Sequence, residues 1–84
     1  MAKVVIYTKS HCPYCKMAKE LLTARHVKFE EISVETDDAV REEMIRLSNQ
    51  RTVPQIFINN QSIGGYDNLA ALAKSGKLDG LLNS

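Results

Sequence analysis

Val4-Val5-Ile6-Tyr7-Thr8, followed three residues later by Cys12-Pro13-Tyr14-Cys15, is the stretch that decides how this chain folds. Five consecutive β-formers, most of them apolar, predict a strand from Lys3 to Thr8 buried on both faces, in the middle of a helix-covered sheet. Proline suits the first position of a helix. Met17, Ala18, Leu21 and Leu22 then recur at helical spacing, with Lys16, Lys19 and Glu20 on the wet side and an end expected near Arg25. Two thiols therefore stand at a helix amino terminus, where unpaired N–H groups and partial positive charge favour a thiolate over a thiol. That is the setting of a reactive cysteine and not of a permanent crosslink.

Outward from this unit, Val27 to Ser33 alternates enough for a second strand. A helical crossover makes it parallel to the first and completes a right-handed βαβ unit. Thr36 is the expected cap of a second helix, with Asp37 and Asp38 in its first turn and Val40, Met44 and Leu47 as its apolar stripe. Asp37 with Arg41, and Glu42 with Arg46, are expected i to i+4 pairs. Gln55–Ile58 and Gln61–Ile63 flank Asn59-Asn60, a hairpin signal, because asparagine tolerates the left-handed conformation. Gly64-Gly65 breaks the strand, and Asp67 is the expected cap of a third helix carrying Leu69, Leu72 and Ala73 and closed by Ser75-Gly76. Leu78, Leu81 and Leu82 form a last short helix or a tail. The expected fold is α/β, a mixed four-stranded sheet with helices on both faces in the order β-α-β-α-β-β-α. Met17 and Met44 read as core filler.

With 84 residues and 44% hydrophobic content, the chain is expected to be one domain spanning residues 1–84. Its net charge of +1 supplies no basic footprint for nucleic acid or anionic lipid. No stretch has the length of a membrane span or the pattern of a secretory signal, so a cytoplasmic location is expected, where a C-x-x-C pair cycles. Two cysteines are too few for a disulfide scaffold. His11, beside Cys12, and His26, at the far end of the helix, leave too few ligands for tetrahedral zinc, so no metal site is expected. His11, at a loop tip, is expected to face solvent.

Three motifs, in order and spread along the chain, carry a resemblance: Thr8-Lys9-x-x-Cys12-Pro13-Tyr14-Cys15, Thr52-Val53-Pro54-Gln55 and Gly64-Gly65-Tyr66-Asp67. Together they resemble the short bacterial dithiol glutaredoxins of the thioredoxin-like superfamily, over almost the whole length. The resemblance implies glutathione-dependent reduction of protein disulfides and protein-glutathione mixed disulfides. Cys12 would be the nucleophile and Cys15 the resolving thiol, supported by Lys9, Pro13 and Tyr14. It also implies a cis Pro54 facing the cysteines, with Val53 pairing to glutathione as a small added strand. Lys9 and Arg51, with Arg41, would meet the glycine carboxylate. The backbone N–H groups of Asp67 and Asn68 would hold the γ-glutamyl carboxylate, and the Asp67 carboxylate the ammonium. Thr52, Gly65, Tyr14 and Tyr66 would border the groove.

By the same resemblance glutathione is a co-substrate and not a tightly bound cofactor. Electrons come from NADPH through glutathione reductase, ribonucleotide reductase is among the target proteins, and the chain acts as a monomer. An acidic thiol gains little attack rate, because its nucleophilicity falls with its pKa, but it is a good leaving group, so turnover is the expected benefit. Two other functions compete. An iron-sulfur carrier would use Cys12 with external glutathione, and Pro13 argues against it by stiffening the loop. A glutaredoxin-like protein reduced by thioredoxin reductase would lack the charged glutathione layout.

Overall fold

The computed structural model describes residues 2–83. Their elements are β1 (Val4–Thr8), α1 (Pro13–Ala24), β2 (Glu30–Ser33), α2 (Asp38–Ser48), β3 (Gln55–Ile58), β4 (Gln61–Gly64), α3 (Tyr66–Ser75) and α4 (Lys77–Leu82). The strands form one mixed sheet in the order β2-β1-β3-β4, with β1 parallel to β2 and antiparallel to β3, and β3 antiparallel to β4. The apolar run of β1 thus lies inside the sheet, as its composition requires.

Strand periodicity divides the core in two. Val4, Ile6, Ile56 and Ile58 point to one face and pack against Ala18 and Leu22 of α1, Leu69 of α3 and Leu78 of α4. Tyr7 and Phe57 point to the other, where they meet edge to face at 5.5 Å and pack with Val34 and Met44 of α2. Helices therefore cover both faces. Among the described residues, no helix is long and apolar enough to cross a membrane.

Several local expectations shift. β2 is shorter than its alternation suggested, because the Val27 N–H is taken by the Leu22 carbonyl at the end of α1 and is lost to the ladder. α2 is capped by Asp37, whose Oδ1 accepts the Ala39 N–H at 2.9 Å, and not by Thr36. Ile45 joins Met44 against the sheet while Leu47 stays 47% exposed. Met17 is exposed as well: two residues after buried Cys15, it lies about 200° around the helix from it. The pairs expected within α2 do not form. The ion pairs among the described residues instead join separate elements, Lys19 with Glu31 at 2.9 Å and Arg25 with Asp79 at 3.4 Å. Asn59 and Asn60 do take positive φ in the hairpin turn, 52° and 67°.

The end of β1 is tied down where the chain leaves the sheet. Thr8 donates its hydroxyl to Glu31 Oε2 at 2.6 Å, and the same oxygen accepts Lys19 Nζ. These two bonds hold the Glu31 carboxyl below the usual carboxylate range. Two residues further, Ser10 donates both its N–H and its hydroxyl to Glu35, which follows β2; the hydroxyl distances are 2.7 and 2.9 Å. Glu35 is lowered mainly by those Ser10 bonds.

Candidate active site

Cys12 is the N-cap of α1 with extended backbone (φ −118°, ψ 100°), and Pro13 takes the first helical position. Its sulfur replaces the usual capping oxygen: the Cys15 N–H donates to Cys12 Sγ at 3.2 Å. The sulfur thus stands at the end of α1 where backbone N–H groups without helical partners converge. On its other side Cys12 Sγ lies 3.9 Å from the Val53 carbonyl oxygen. Cys12 is half-buried, Cys15 is 1% exposed, and neither is in a disulfide. Burial, followed by its interaction with Cys12, pushes the Cys15 thiol up to about 11, while the Lys9 backbone and the Lys19 charge pull the other way. At neutral pH Cys15 holds its proton. His11, just before Cys12, is exposed and has φ 54° in the loop that Glu35 grips.

Beside Cys12 a cleft of about 290 Å³ opens. One wall is Tyr14 of α1, whose ring lies 6.0 Å from that of Tyr66. A second wall is the irregular segment Gln50, Thr52, Val53 and Pro54, and a third is the start of α3, Gly65 to Asn68. The Val53–Pro54 bond is cis, as the resemblance implied. Val53 stands ahead of β3, so its backbone is outside the strand ladder and faces the cleft.

α3 starts earlier than Asp67 suggested. Gly65 is its N-cap, and Asn68 Oδ1 accepts the Gly65 N–H at 3.3 Å, which leaves Asp67 as the acidic residue of the first turn. The first N–H groups of a helix have no partner within it, so those of Asp67 and Asn68 are available at the cleft. Gly64 turns the chain into this helix with φ 111° in the left-handed half of backbone space.

Of the residues expected at the site, the cleft brings together Tyr14, Thr52, Val53, Pro54, Gly65, Tyr66, Asp67 and Asn68 beside Cys12. It does not include Lys9, Arg51 or Arg41, all three of which are exposed. Two contributors went unread in the sequence. Gln50 lines the cleft, and Gln55, 0% exposed behind it, holds the irregular wall. Gln55 Nε2 donates to the Thr52 carbonyl at 3.0 Å, the Gln50 side chain at 3.2 Å and Thr52 Oγ1 at 3.3 Å. Ser48 Oγ supports the same segment from α2, accepting the Gln50 N–H at 3.1 Å. The one legible signal was a polar residue opening an otherwise apolar strand. Among the described residues no group of three or more His, Cys, Asp or Glu is arranged to hold a metal.

Comparison with known proteins agrees with this geometry. The family model described as glutaredoxin matches residues 4–63. Glutaredoxin 3 of Escherichia coli K12 is 55% identical over 82 residues, covering 98% of this chain and 99% of its own. The glutaredoxin of Pseudomonas aeruginosa is 46% identical over 84 residues and the full length of both. Among solved structures, a buckwheat glutaredoxin-glutathione complex superposes with a TM-score of 0.89 at 29% identity, covering 98% of this chain and 77% of that one. The solution structure of Brucella melitensis glutaredoxin gives 0.87 at 46% identity, covering 98% and 89%.

Proposed function

This chain belongs to the glutaredoxin family and is a thiol-disulfide oxidoreductase, and from that premise we propose that glutathione is its reductant and Cys12 its nucleophile. The deprotonated Cys12 sulfur attacks the glutathione sulfur of a protein-glutathione mixed disulfide. A Cys12-glutathione bond forms, the old sulfur-sulfur bond breaks, and the protein thiolate leaves with the electron pair and takes a proton from water. A second glutathione thiolate then attacks the bound glutathione sulfur, releasing glutathione disulfide and free Cys12. With a protein disulfide, Cys12 bonds to one target sulfur and Cys15 displaces the target as a dithiol. Two glutathione molecules afterwards reopen the Cys12–Cys15 bond.

The observation that carries this reading is the placement of Cys12 Sγ between the Cys15 N–H at 3.2 Å and the Val53 carbonyl at 3.9 Å. The sulfur meets both a helix terminus and the edge of a cleft suited to an extended peptide. The Val53 backbone, which lies outside the strand ladder, suits the cysteine of glutathione. The free N–H groups at the start of α3, with the Asp67 carboxylate, suit its γ-glutamyl end. Arg51 stands between two cleft-lining residues and Lys9 three residues before Cys12; in this reading both reach the glycine carboxylate from the rim. The buckwheat relative, solved as a glutathione complex, supports the same ligand. The thiols cycle in a reducing compartment, for which the cytoplasm is the proposed location.

The test is reduction of a glutathione mixed disulfide coupled to glutathione reductase and NADPH. Cys12→Ser is expected to be inactive. Cys15→Ser is expected to keep this activity and to lose most reduction of protein disulfides. Activity surviving in Cys12→Ser overturns the assignment, and faster reduction by thioredoxin reductase than by glutathione overturns the choice of reductant.

A further inference from the structure

Away from the cleft, two donors from different elements converge on one oxygen. Thr8 Oγ1 reaches Glu31 Oε2 at 2.6 Å and Lys19 Nζ reaches it at 2.9 Å. Thr8 is 2% exposed, whereas a lysine on a helix surface is normally free to roam. Lys19 is one helical turn after Cys15, about 40° from it around α1, so the two side chains lie on neighbouring parts of one face. The backbone of Lys9, the residue after Thr8, also acts on the Cys15 thiol. The end of β1 thus holds, through Glu31, the ammonium of the residue that follows the buried thiol by one helical turn.

The dithiol route needs such a charge. Cys15 must lose its proton in a buried setting, and burial works against the resulting anion. Glu31 stays ionised between its two donors, and of this pair it is the Lys19 charge that acts on Cys15.

We propose that Lys19, pinned by Glu31 and Thr8, is a positioning residue for Cys15: its ammonium stabilises the negative charge on the resolving sulfur and so governs the two-cysteine route without entering the one-cysteine route. The step is the attack of Cys15 Sγ on Cys12 Sγ. The Cys12–Cys15 bond forms, the bond from Cys12 to the target sulfur breaks, and the target sulfur leaves with the electron pair. The proton lost by Cys15 goes to water, and the departing thiolate takes one up. The inference rests on the roles given to the two cysteines under Proposed function.

Where a thiol stays mostly protonated, each unit added to its pKa lowers the thiolate population tenfold, and a Brønsted coefficient of about 0.4–0.5 returns roughly threefold in nucleophilicity. Lys19→Met is therefore expected to slow reduction of insulin disulfides by about twofold, while reduction of a glutathione mixed disulfide is unchanged. Lys19→Arg, which keeps the charge, is expected to restore most of the loss. In the Cys15→Ser background, Lys19→Met is expected to have no further effect, as a coupling that runs only through that sulfur requires. Equal slowing of both routes, failure of the arginine variant to rescue, or a Lys19 effect that persists without Cys15 overturns the proposal. Wild-type failure in the glutathione-coupled assay instead defeats the underlying functional assignment. A wild type that passes while Lys19→Met shows no difference between routes defeats this inference alone.

Discussion

Two walls of the same cleft are built in opposite ways. The wall bearing Cys12 and Tyr14 is the first turn of a regular helix, and the strand end feeding it is tied by charged groups, Glu31 to Thr8 and Lys19 and Glu35 to Ser10. The facing wall, Gln50 to Pro54, has no regular structure and is held by uncharged groups, the Gln55 amide and the Ser48 hydroxyl. The difference separates chemistry from recognition. A helix terminus fixes the Cys12 sulfur through its own backbone, whereas the irregular wall keeps Val53 out of the strand ladder and depends on a buried side chain to keep it so.

Removing that buried side chain is the strongest way to break the comparison. Gln55→Leu deletes three hydrogen bonds and strands polar groups behind the wall, which costs about 1 to 3 kcal/mol of stability. Because the effect falls on recognition, KM for a glutathione mixed disulfide is expected to rise roughly tenfold with kcat within about twofold. Denaturant unfolding and steady-state kinetics check both parts. A fall in kcat at constant KM would mean that the two walls are not separable.

A smaller effect is expected from Gly64→Ala. An added Cβ would lie 2.6 Å from Asn68 Oδ1, at a φ of 111° that suits glycine. The cost is about 1 to 2 kcal/mol in a thermal or denaturant melt, with Asn68 drawn away from the Gly65 N–H. An unchanged melt would show that the start of α3 is soft.

The smallest effect sharpens the contrast through pH. Glu31 and Glu35 have carboxyls lowered in the folded state, so their contribution is present above the ordinary value of 4.5 and is lost as pH falls through their folded values. Acidification from pH 6 to pH 3 is expected to weaken hydrogen-exchange protection at Ser10 and along β2. Gln50 to Thr52, held by groups that do not titrate, keep theirs. Glu31→Gln should flatten the acid limb of the stability curve by no more than a few tenths of a kcal/mol, as suits a pair this exposed. Equal loosening of both walls would remove the distinction.

The same contrast explains what the sequence disclosed. β1, the Pro13 helix start, the Asn59-Asn60 turn and the three motifs are local signals, and they carry the mixed four-stranded sheet with helices on both faces. The cap at Asp37 in place of Thr36 was a choice between adjacent residues that each have the right chemistry. The start of α3 at Tyr66 depended on Gly65 finding Asn68, and the start of β2 on Val27 being claimed by α1. Gln55 and Glu35 act on segments that they meet only after folding, Glu35 on a residue 25 positions away, and no periodicity reports such a contact. The cationic end of the expected site was legible only as sequence positions: Lys9 and Arg51 are exposed and lie off the cleft lining.

The outer strands bear on a different matter. A protein that keeps the Val53 backbone outside the strand ladder risks having its other open backbone recruited too, and β2 lies at the border of the sheet. That strand is four residues long and carries Glu30 and Glu31, both exposed. Adjacent carboxylates on a short border strand repel a second copy laid alongside it, so edge-to-edge stacking into aggregates is disfavoured. One border of the sheet is thereby guarded by charge.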